Sequence, residues 1–232
     1  MQPTAVIFGA GSVGRGFLGQ LFSESGYEVV FVDVDTELVD ALARDGSYTL
    51  RLAGTDRIED LEIGPVRAVH GADTEAVAAE VARADLLATA VGARALPIIA
   101  RSIAAGLARR WAAGNAAPLN IIICENLHDA PEQLRASVSA ALPETERPRL
   151  ARVGFVPAVI ARMSPVPTPE QRAADLTLIV AEPYKVLPVD RDAFVGPIPE
   201  IVGMEAVSPF AAYTCLLYTS DAADDLLCVD LG

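Results

Sequence analysis

One stretch near the start of the chain, Ala5 to Asp33, limits what the protein can fold into. An apolar run, Ala5 to Phe8, stops at Gly9-Ala10-Gly11-Ser12-Val13-Gly14, a G-x-G-x-x-G pattern. Gly16 to Ser25 follows with Phe17, Leu18, Leu21 and Phe22 on one helical face, and Tyr27 to Val32 is a second apolar run rich in β-branched residues. Strand, glycine turn, helix and strand in that order make the βαβ unit that binds a dinucleotide. Gly9 permits the tight turn, Gly11 lets the backbone approach a pyrophosphate with no Cβ in the way, and Gly14 lets the helix pack closely on the sheet. The pyrophosphate then meets free N–H groups and the positive end of the helix dipole. Asp33 closes the second strand 19 residues after Gly14. A carboxylate at that spacing accepts hydrogen bonds from the adenosine ribose hydroxyls and repels a 2′-phosphate, so NAD is expected over NADP. Asp35 is a rival for the ribose contact, its other use being to cap the following helix beside Thr36. Arg15 and Gly16 extend the turn, with Arg15 either reaching a phosphate or lying in solvent.

The alternation continues for another hundred residues. Thr36 opens a helix that carries Leu38, Val39 and Leu42 inward and ends at Gly46, and Ser47 to Ile63 reads as a hairpin. Candidate strands at Val66–His70, Leu86–Val91, Leu119–Cys124 and Ala151–Val156 alternate with candidate helices at Thr74–Ala84, Leu96–Ala113 and Pro131–Leu142. Strands that are apolar throughout are covered on both faces. The expected fold is therefore α/β: a Rossmann-type, doubly wound, mostly parallel sheet with helices on both faces. Residues 1–160 are expected to form this NAD-binding domain, and residues 161–214 a connector and the start of a substrate domain. Met163 to Pro169 holds three prolines in seven residues, Leu176 to Val180 reads as a strand, and Pro183 to Pro199 reads as irregular chain.

Composition narrows the partners. The 232 residues are 52% apolar and only 6% aromatic, which implies a core of Ala, Val, Leu and Ile. The formal charge of −13 repels phosphate backbones and anionic lipid, so neither nucleic acid nor a membrane is expected as a partner. An anionic small molecule stays compatible, because a few arginines and helix N-termini can set the field of one pocket. No apolar run reaches the ~18 to 20 residues of a membrane span, and no basic segment precedes the first apolar run. Cys124, Cys215 and Cys228 are few, odd in number and without metal-ligand spacing. They fit a reducing compartment, so a cytoplasmic location is expected.

A second group of candidates lies where later strands end on the side of the glycine turn. Val91 and Gly92 close a strand where backbone can approach the second ribose, or simply turn into the next helix. Glu125 and Asn126 follow the Ile-rich strand directly, and ligands of open α/β sheets bind at such carboxyl ends. Asn126 can hold the nicotinamide carboxamide or a substrate hydroxyl, or act as a turn residue. The candidate cofactor residues are thus Phe8, Gly9, Ala10, Gly11, Ser12, Val13, Gly14, Arg15, Gly16, Asp33, Val91, Gly92 and Asn126. His128 has no paired carboxylate in the sequence pattern and is given no catalytic role. His70 is given none either, and Cys124, flanked by isoleucines, is expected to be buried and inert.

Phe8-Gly9-Ala10-Gly11-Ser12-Val13-Gly14-Arg15-Gly16-Phe17 resembles the opening of the mannitol-1-phosphate 5-dehydrogenases, within the polyol-specific long-chain (mannitol) dehydrogenase family. Thr89 to Gly92, Pro118 to Asn126, Val153 to Val156, Val189-Asp190, Phe194 with Gly196, and Pro199 to Glu205 are similar in the same order. The resemblance runs from Met1 to about Thr214. It implies hydride transfer with NAD between D-mannitol 1-phosphate and D-fructose 6-phosphate, a sugar or polyol phosphate as small-molecule partner, and a helical second domain that supplies a lysine base. That lysine belongs to a Lys-x-x-x-x-Asn-x-x-His pattern expected beyond Thr214. Here the only lysine is Lys185, and residues 215–232 hold no Lys or Arg. The second domain is expected to be largely absent, with 215–232 a non-family tail, either adapter-derived or a natural extension. Pro157 and Ala161 stand where the family tends to carry aspartates around Arg162. A non-phosphorylated polyol or a hexuronate is the alternative substrate, and a non-catalytic NAD-binding module is the alternative of another class.

Overall fold

The computed structural model describes residues 2–55 and 57–211. In chain order these form β1 (Thr4–Phe8), a π-helical turn (Gly14–Leu18) running into α1 (Gly19–Glu24), and β2 (Glu28–Asp33). Next come α2 (Thr36–Asp45), β3 (Tyr48–Ala53), β4 (Ile58–Ile63), β5 (Val66–His70) and α3 (Thr74–Arg83). The remainder is β6 (Leu86–Thr89), α4 (Leu96–Ala112), β7 (Leu119–Ile123), α5 (Ala130–Ala141), β8 (Val153–Pro157), α6 (Pro169–Ala174), β9 (Ile179–Ala181), β10 (Leu187–Asp190) and β11 (Met204–Val207). The expectations for Thr214, Cys215, Cys228 and the 215–232 tail fall outside the described residues.

The mainly apolar strands assemble into one sheet ordered β5-β2-β1-β6-β7-β8, every pair parallel. Because side chains alternate across a sheet, each strand feeds two cores. Ala5 and Ile7 of β1 face the core that holds Phe17, Leu21 and Phe31. Val6 and Phe8 face the core with Leu107, Ile121 and Leu134. The strand order turns back between β1 and β6, which opens a crevice at their carboxyl ends.

The helix after the glycine turn is enclosed from two directions. Every residue from Gly14 to Phe22 is buried, which an amphipathic surface helix would not show. Its second cover is a small sheet, β4-β3-β9, in which the β3–β4 hairpin pairs antiparallel and β9 joins β3 in parallel. Contact is close enough that a Cβ on Gly16 would meet Ser164 Oγ at 2.5 Å, and one on Gly19 would meet the Tyr48 hydroxyl at 2.3 Å.

Chain beyond residue 160 adds to the same body. Ile179, Ala181, Leu187, Val189 and Ile201 share the core with Phe17 and Leu21. The buried Asn120 amide donates to Val195 O at 3.2 Å and accepts from Val195 N at 2.9 Å, tying this chain to β7. Pro183 to Pro199, expected to be irregular, contains β10, which pairs in parallel with β11. Proline is tolerated there because Pro188 needs to give no amide hydrogen: its carbonyl accepts from Val159 N instead. β6 was expected to reach Val91 but stops at Thr89, since the Val91 amide turns to a side chain, Glu125, rather than to a neighbouring strand.

Gly106 lets α3 and α4 touch, as a Cβ there would lie 2.4 Å from Val81 Cβ and 3.0 Å from Ala78 O. Gly106→Ala gains about 1 kcal/mol of helix propensity but loses ~1–3 kcal/mol to overpacking. A lower urea midpoint at unchanged m-value is the expected result.

Candidate functional site

Backbone geometry fixes the glycine turn before any side chain is considered. Gly9 has φ +98°, and a Cβ on it would meet Ala90 O at 2.3 Å. Gly14 packs against the Gly9 carbonyl, where a Cβ would lie 1.9 Å from the oxygen. Gly11 differs from both: it is exposed, and a Cβ there would meet nothing within 4 Å. The first is a turn requirement, the second a packing requirement, and the third an open cradle facing solvent. Helical chain begins directly after Gly11, so its first amides lack acceptors within the helix and are free for an anion.

Asp33 stands beside this cradle. Its Oδ2 accepts from Ala10 N at 2.6 Å, while Oδ1 accepts from Val34 N at 2.7 Å and Asp35 N at 3.0 Å. Asp35, the rival, is the N-cap of α2: it accepts from Leu38 N at 3.2 Å and pairs with Arg172 at 3.2 Å. Partial burial opposes its ionisation, but the Leu38 amide and Arg172 outweigh that and hold its carboxyl below the usual range. Asp33 and Gly11 line a cleft of about 440 Å³ with Phe8, Val34 and Ile98. Val34 and Ile98 are 76% and 72% exposed, apolar surface open to solvent beside the Asp33 carboxylate. Such a slot suits the flat face of an adenine.

The later strand ends open a second cleft of about 590 Å³ on the other side of the turn, lined by Ser12, Val13, Gly92, Asn126 and Ile160 among others. Glu125 Oε1 accepts from Val91 N at 3.0 Å, which locks the ends of β6 and β7 together. Asn126 is exposed on this cleft, and Gly92 has φ +84°. Cys124 is buried as expected; burial first, and the Glu125 charge second, push its thiol pKa up. His128 is exposed at a third opening of about 370 Å³, shared with Glu132, Asp190 and Asp192.

Two expectations need correction. Arg15 neither reaches into a cleft nor lies in solvent: it is 3% exposed, with Nε donating to Ala10 O at 2.6 Å and a terminal nitrogen to Thr177 O. Its neighbour Gly16 serves the contact with Ser164 and Ile179 rather than the turn. Sequence reasoning also gave His70 no use, whereas its Nδ1 accepts from Ala72 N and its Nε2 lies 3.1 Å from Val34 O, bracing the loop beyond Asp33. Lys185 lies away from both clefts, paired at 2.7 Å with Glu24 at the far end of α1. Among the described residues, no group of three or more His, Cys, Asp or Glu is placed to hold a metal, and no helix is long and apolar enough to cross a membrane.

A family model described as the mannitol dehydrogenase Rossmann domain matches residues 3–203. The chain is 43% identical over 210 residues to a mannitol-1-phosphate 5-dehydrogenase of Brevibacillus brevis, covering 90% of this chain and 53% of that protein. It is 40% identical over 211 residues to one of Bacillus licheniformis, covering 90% and 54%. The chain thus spans about half the length of the curated relatives it matches. Among solved structures, the Pseudomonas fluorescens mannitol 2-dehydrogenase, in ternary complex with NAD and D-mannitol, superposes with TM-score 0.77 at 18% identity over 92% of this chain and 54% of that one. A substrate-free D-sorbitol dehydrogenase gives 0.73 at 17% identity, covering 92% and 55%. At those identities the likeness concerns the fold.

Burial of Cys124 gives a direct check on this edge of the sheet. Site-resolved alkylation at pH 8 should leave Cys124 unmodified in native protein and label it fully in urea. Labelling of Cys124 under native conditions would show that the carboxyl end of β7 is more open than described.

Proposed function

This chain belongs to the mannitol dehydrogenase family, and from that premise we propose that it binds NAD across the glycine turn and serves mannitol-1-phosphate 5-dehydrogenase chemistry. The carrying observation is the open cradle at Gly11 beside a carboxylate, Asp33, already oriented by the turn's own Ala10 amide. Amides at Gly11, Ser12 and Val13 would hold the pyrophosphate, and Asp33 the adenosine diol. Phe8, Gly9, Ala10 and Gly14 shape that turn from behind, being buried themselves. Val91 and Gly92 would receive the second ribose, and Asn126 the nicotinamide carboxamide or a substrate hydroxyl.

When bound, the nicotinamide supplies or accepts the hydride that interconverts D-mannitol 1-phosphate and D-fructose 6-phosphate. The chain's own part is to hold the nucleotide, exclude NADP through the Asp33 charge, and present the second cleft to a sugar phosphate. Proton transfer to and from the alcohol needs a base, which the resemblance assigns to a lysine. The one lysine in these 232 residues is Lys185, engaged by Glu24 away from both clefts. Residues 2–207 act in this reading as one nucleotide-binding unit, since β9, β10 and β11 complete its packing.

Titration with NADH should show saturable binding and much weaker uptake of NADPH. Asp33→Ala removes a charged acceptor of two hydroxyl hydrogen bonds, worth ~1.5–3 kcal/mol, so NADH binding should weaken about 10- to 100-fold. Equal affinity in the variant would refute the ribose assignment. Incubated with NADH and fructose 6-phosphate, the 232-residue protein should oxidise no NADH above background. Robust turnover would show that another group provides the base.

A further inference from the structure

We infer that Arg15 is a positioning residue for the cofactor: from behind the glycine turn it aims the Gly11 amide at the pyrophosphate. This rests on the NAD-binding reading above and assigns that site a part which faces away from the ligand.

The argument starts from peptide planarity. A trans peptide points its C=O and its N–H in opposite directions, and the cis bonds among the described residues are Gly64–Pro65 and Ser208–Pro209 only. The Ala10–Gly11 unit is therefore trans. Its carbonyl is directed inward, to Arg15 Nε at 2.6 Å. Its N–H, on Gly11, must point outward, on the side where Gly11 is exposed and a Cβ would find open space.

The preceding unit, Gly9–Ala10, is held as firmly. Its N–H is bonded to Asp33 Oδ2 at 2.6 Å, and its carbonyl lies against Gly14 where a Cβ would come within 1.9 Å. Asp33 in front and Arg15 behind thus pin both peptides of the turn. Without Arg15 the second unit is free to rotate, which would turn the Ala10 carbonyl, an oxygen with partial negative charge, toward the phosphates.

What holds Arg15 is chain distant in sequence. A terminal nitrogen of its guanidinium donates to the backbone carbonyl of Thr177, just before β9. The π-helical turn brings Arg15 inward among Gly14 to Leu18, all buried, and Tyr48 Oη donates to the Arg15 carbonyl at 2.6 Å. A buried cation answered by carbonyl oxygens rather than by a carboxylate keeps its full charge directed at the turn. Burial lowers its pKa from the ordinary arginine value. The β4-β3-β9 sheet and the chain leading into it therefore contribute to nucleotide binding without touching nucleotide.

The test compares ligands with and without phosphate. Wild-type protein, Arg15→Gln and Arg15→Lys are titrated with NADH by its fluorescence, and with ADP-ribose and adenosine by competition. In Arg15→Gln the affinity for NADH and ADP-ribose should fall about tenfold or more, the loss of one hydrogen bond to a charged group. Adenosine affinity, which depends on Asp33 and the apolar slot, should change less than twofold. Equal loss for all three ligands, or no loss for any, overturns the inference. Should Arg15→Gln not fold, Arg15→Lys, which keeps the buried charge but loses the fork that spans two carbonyls, is read by the same contrast. In wild-type protein the Gly11 amide resonance must shift on adding ADP-ribose, and an unresponsive Gly11 overturns the inference without any variant. Failure of wild-type protein to take up NADH is a different result and counts against the NAD-binding reading itself.

Discussion

The hydrogen bond from the Ala10 amide to the Asp33 carboxylate, 2.6 Å long, joins the carboxyl ends of β1 and β2 at the glycine turn. β1 and β2 are already parallel neighbours through five residue pairs, from Thr4 with Glu28 to Phe8 with Val32. The ladder continues one step further, Gly9 N donating to Val32 O at 2.8 Å. Ala10 is the first residue whose amide leaves the ladder, and Asp33 takes it. That one carboxylate therefore ends the sheet, shapes the glycine turn and fixes its own orientation. A carboxylate placed this way repels a 2′-phosphate without moving.

Enclosure of the helix behind the turn follows from a second constraint. A helix packed on a sheet normally shows its other face to water, and charges there cost nothing. Here the other face meets β3, β4 and β9, so small residues are needed at Gly16 and Gly19 and every polar group needs a protein partner. Gln20, 2% exposed, meets this need by bonding both Glu24 and Arg162. Arg162 in turn donates to Glu182 O and lies 5.5 Å over the Phe17 ring. Burial lowers the Arg162 pKa to about 10. Chain after residue 160 is thus bound to the nucleotide unit by polar contacts and by shared core.

The sequence made the sheet legible because its strands are apolar on both faces and its helices are amphipathic. Ile121, Ile122 and Ile123 can be read only as a strand buried on two sides, and that is where β7 lies. The cap of α2 was legible too, with Asp35 accepting from the Leu38 amide, whereas Asp73, which caps α3 through the Ala76 amide, was not singled out. Partners distant along the chain were not legible. Nothing near Arg15 signals that Thr177, 162 positions away, will accept its hydrogen bond. Glu125 was visible as a polar residue at a strand end, but not its bond to Val91. Four prolines in the stretch from Pro183 to Pro199 concealed β10, because its alternation spans only four residues and its burial depends on β8 and β11. Exposed Val34 and Ile98 look like ordinary surface residues until the cleft between them is seen.

The account stands on where a bound nucleotide would sit, and a crystal structure of this chain grown with NADH measures that directly. It predicts pyrophosphate oxygens within hydrogen-bond distance of the amides of Gly11, Ser12 and Val13, with the adenosine 2′- and 3′-hydroxyls on Asp33. NADH seated elsewhere, or an adenosine ribose turned away from Asp33, would contradict it.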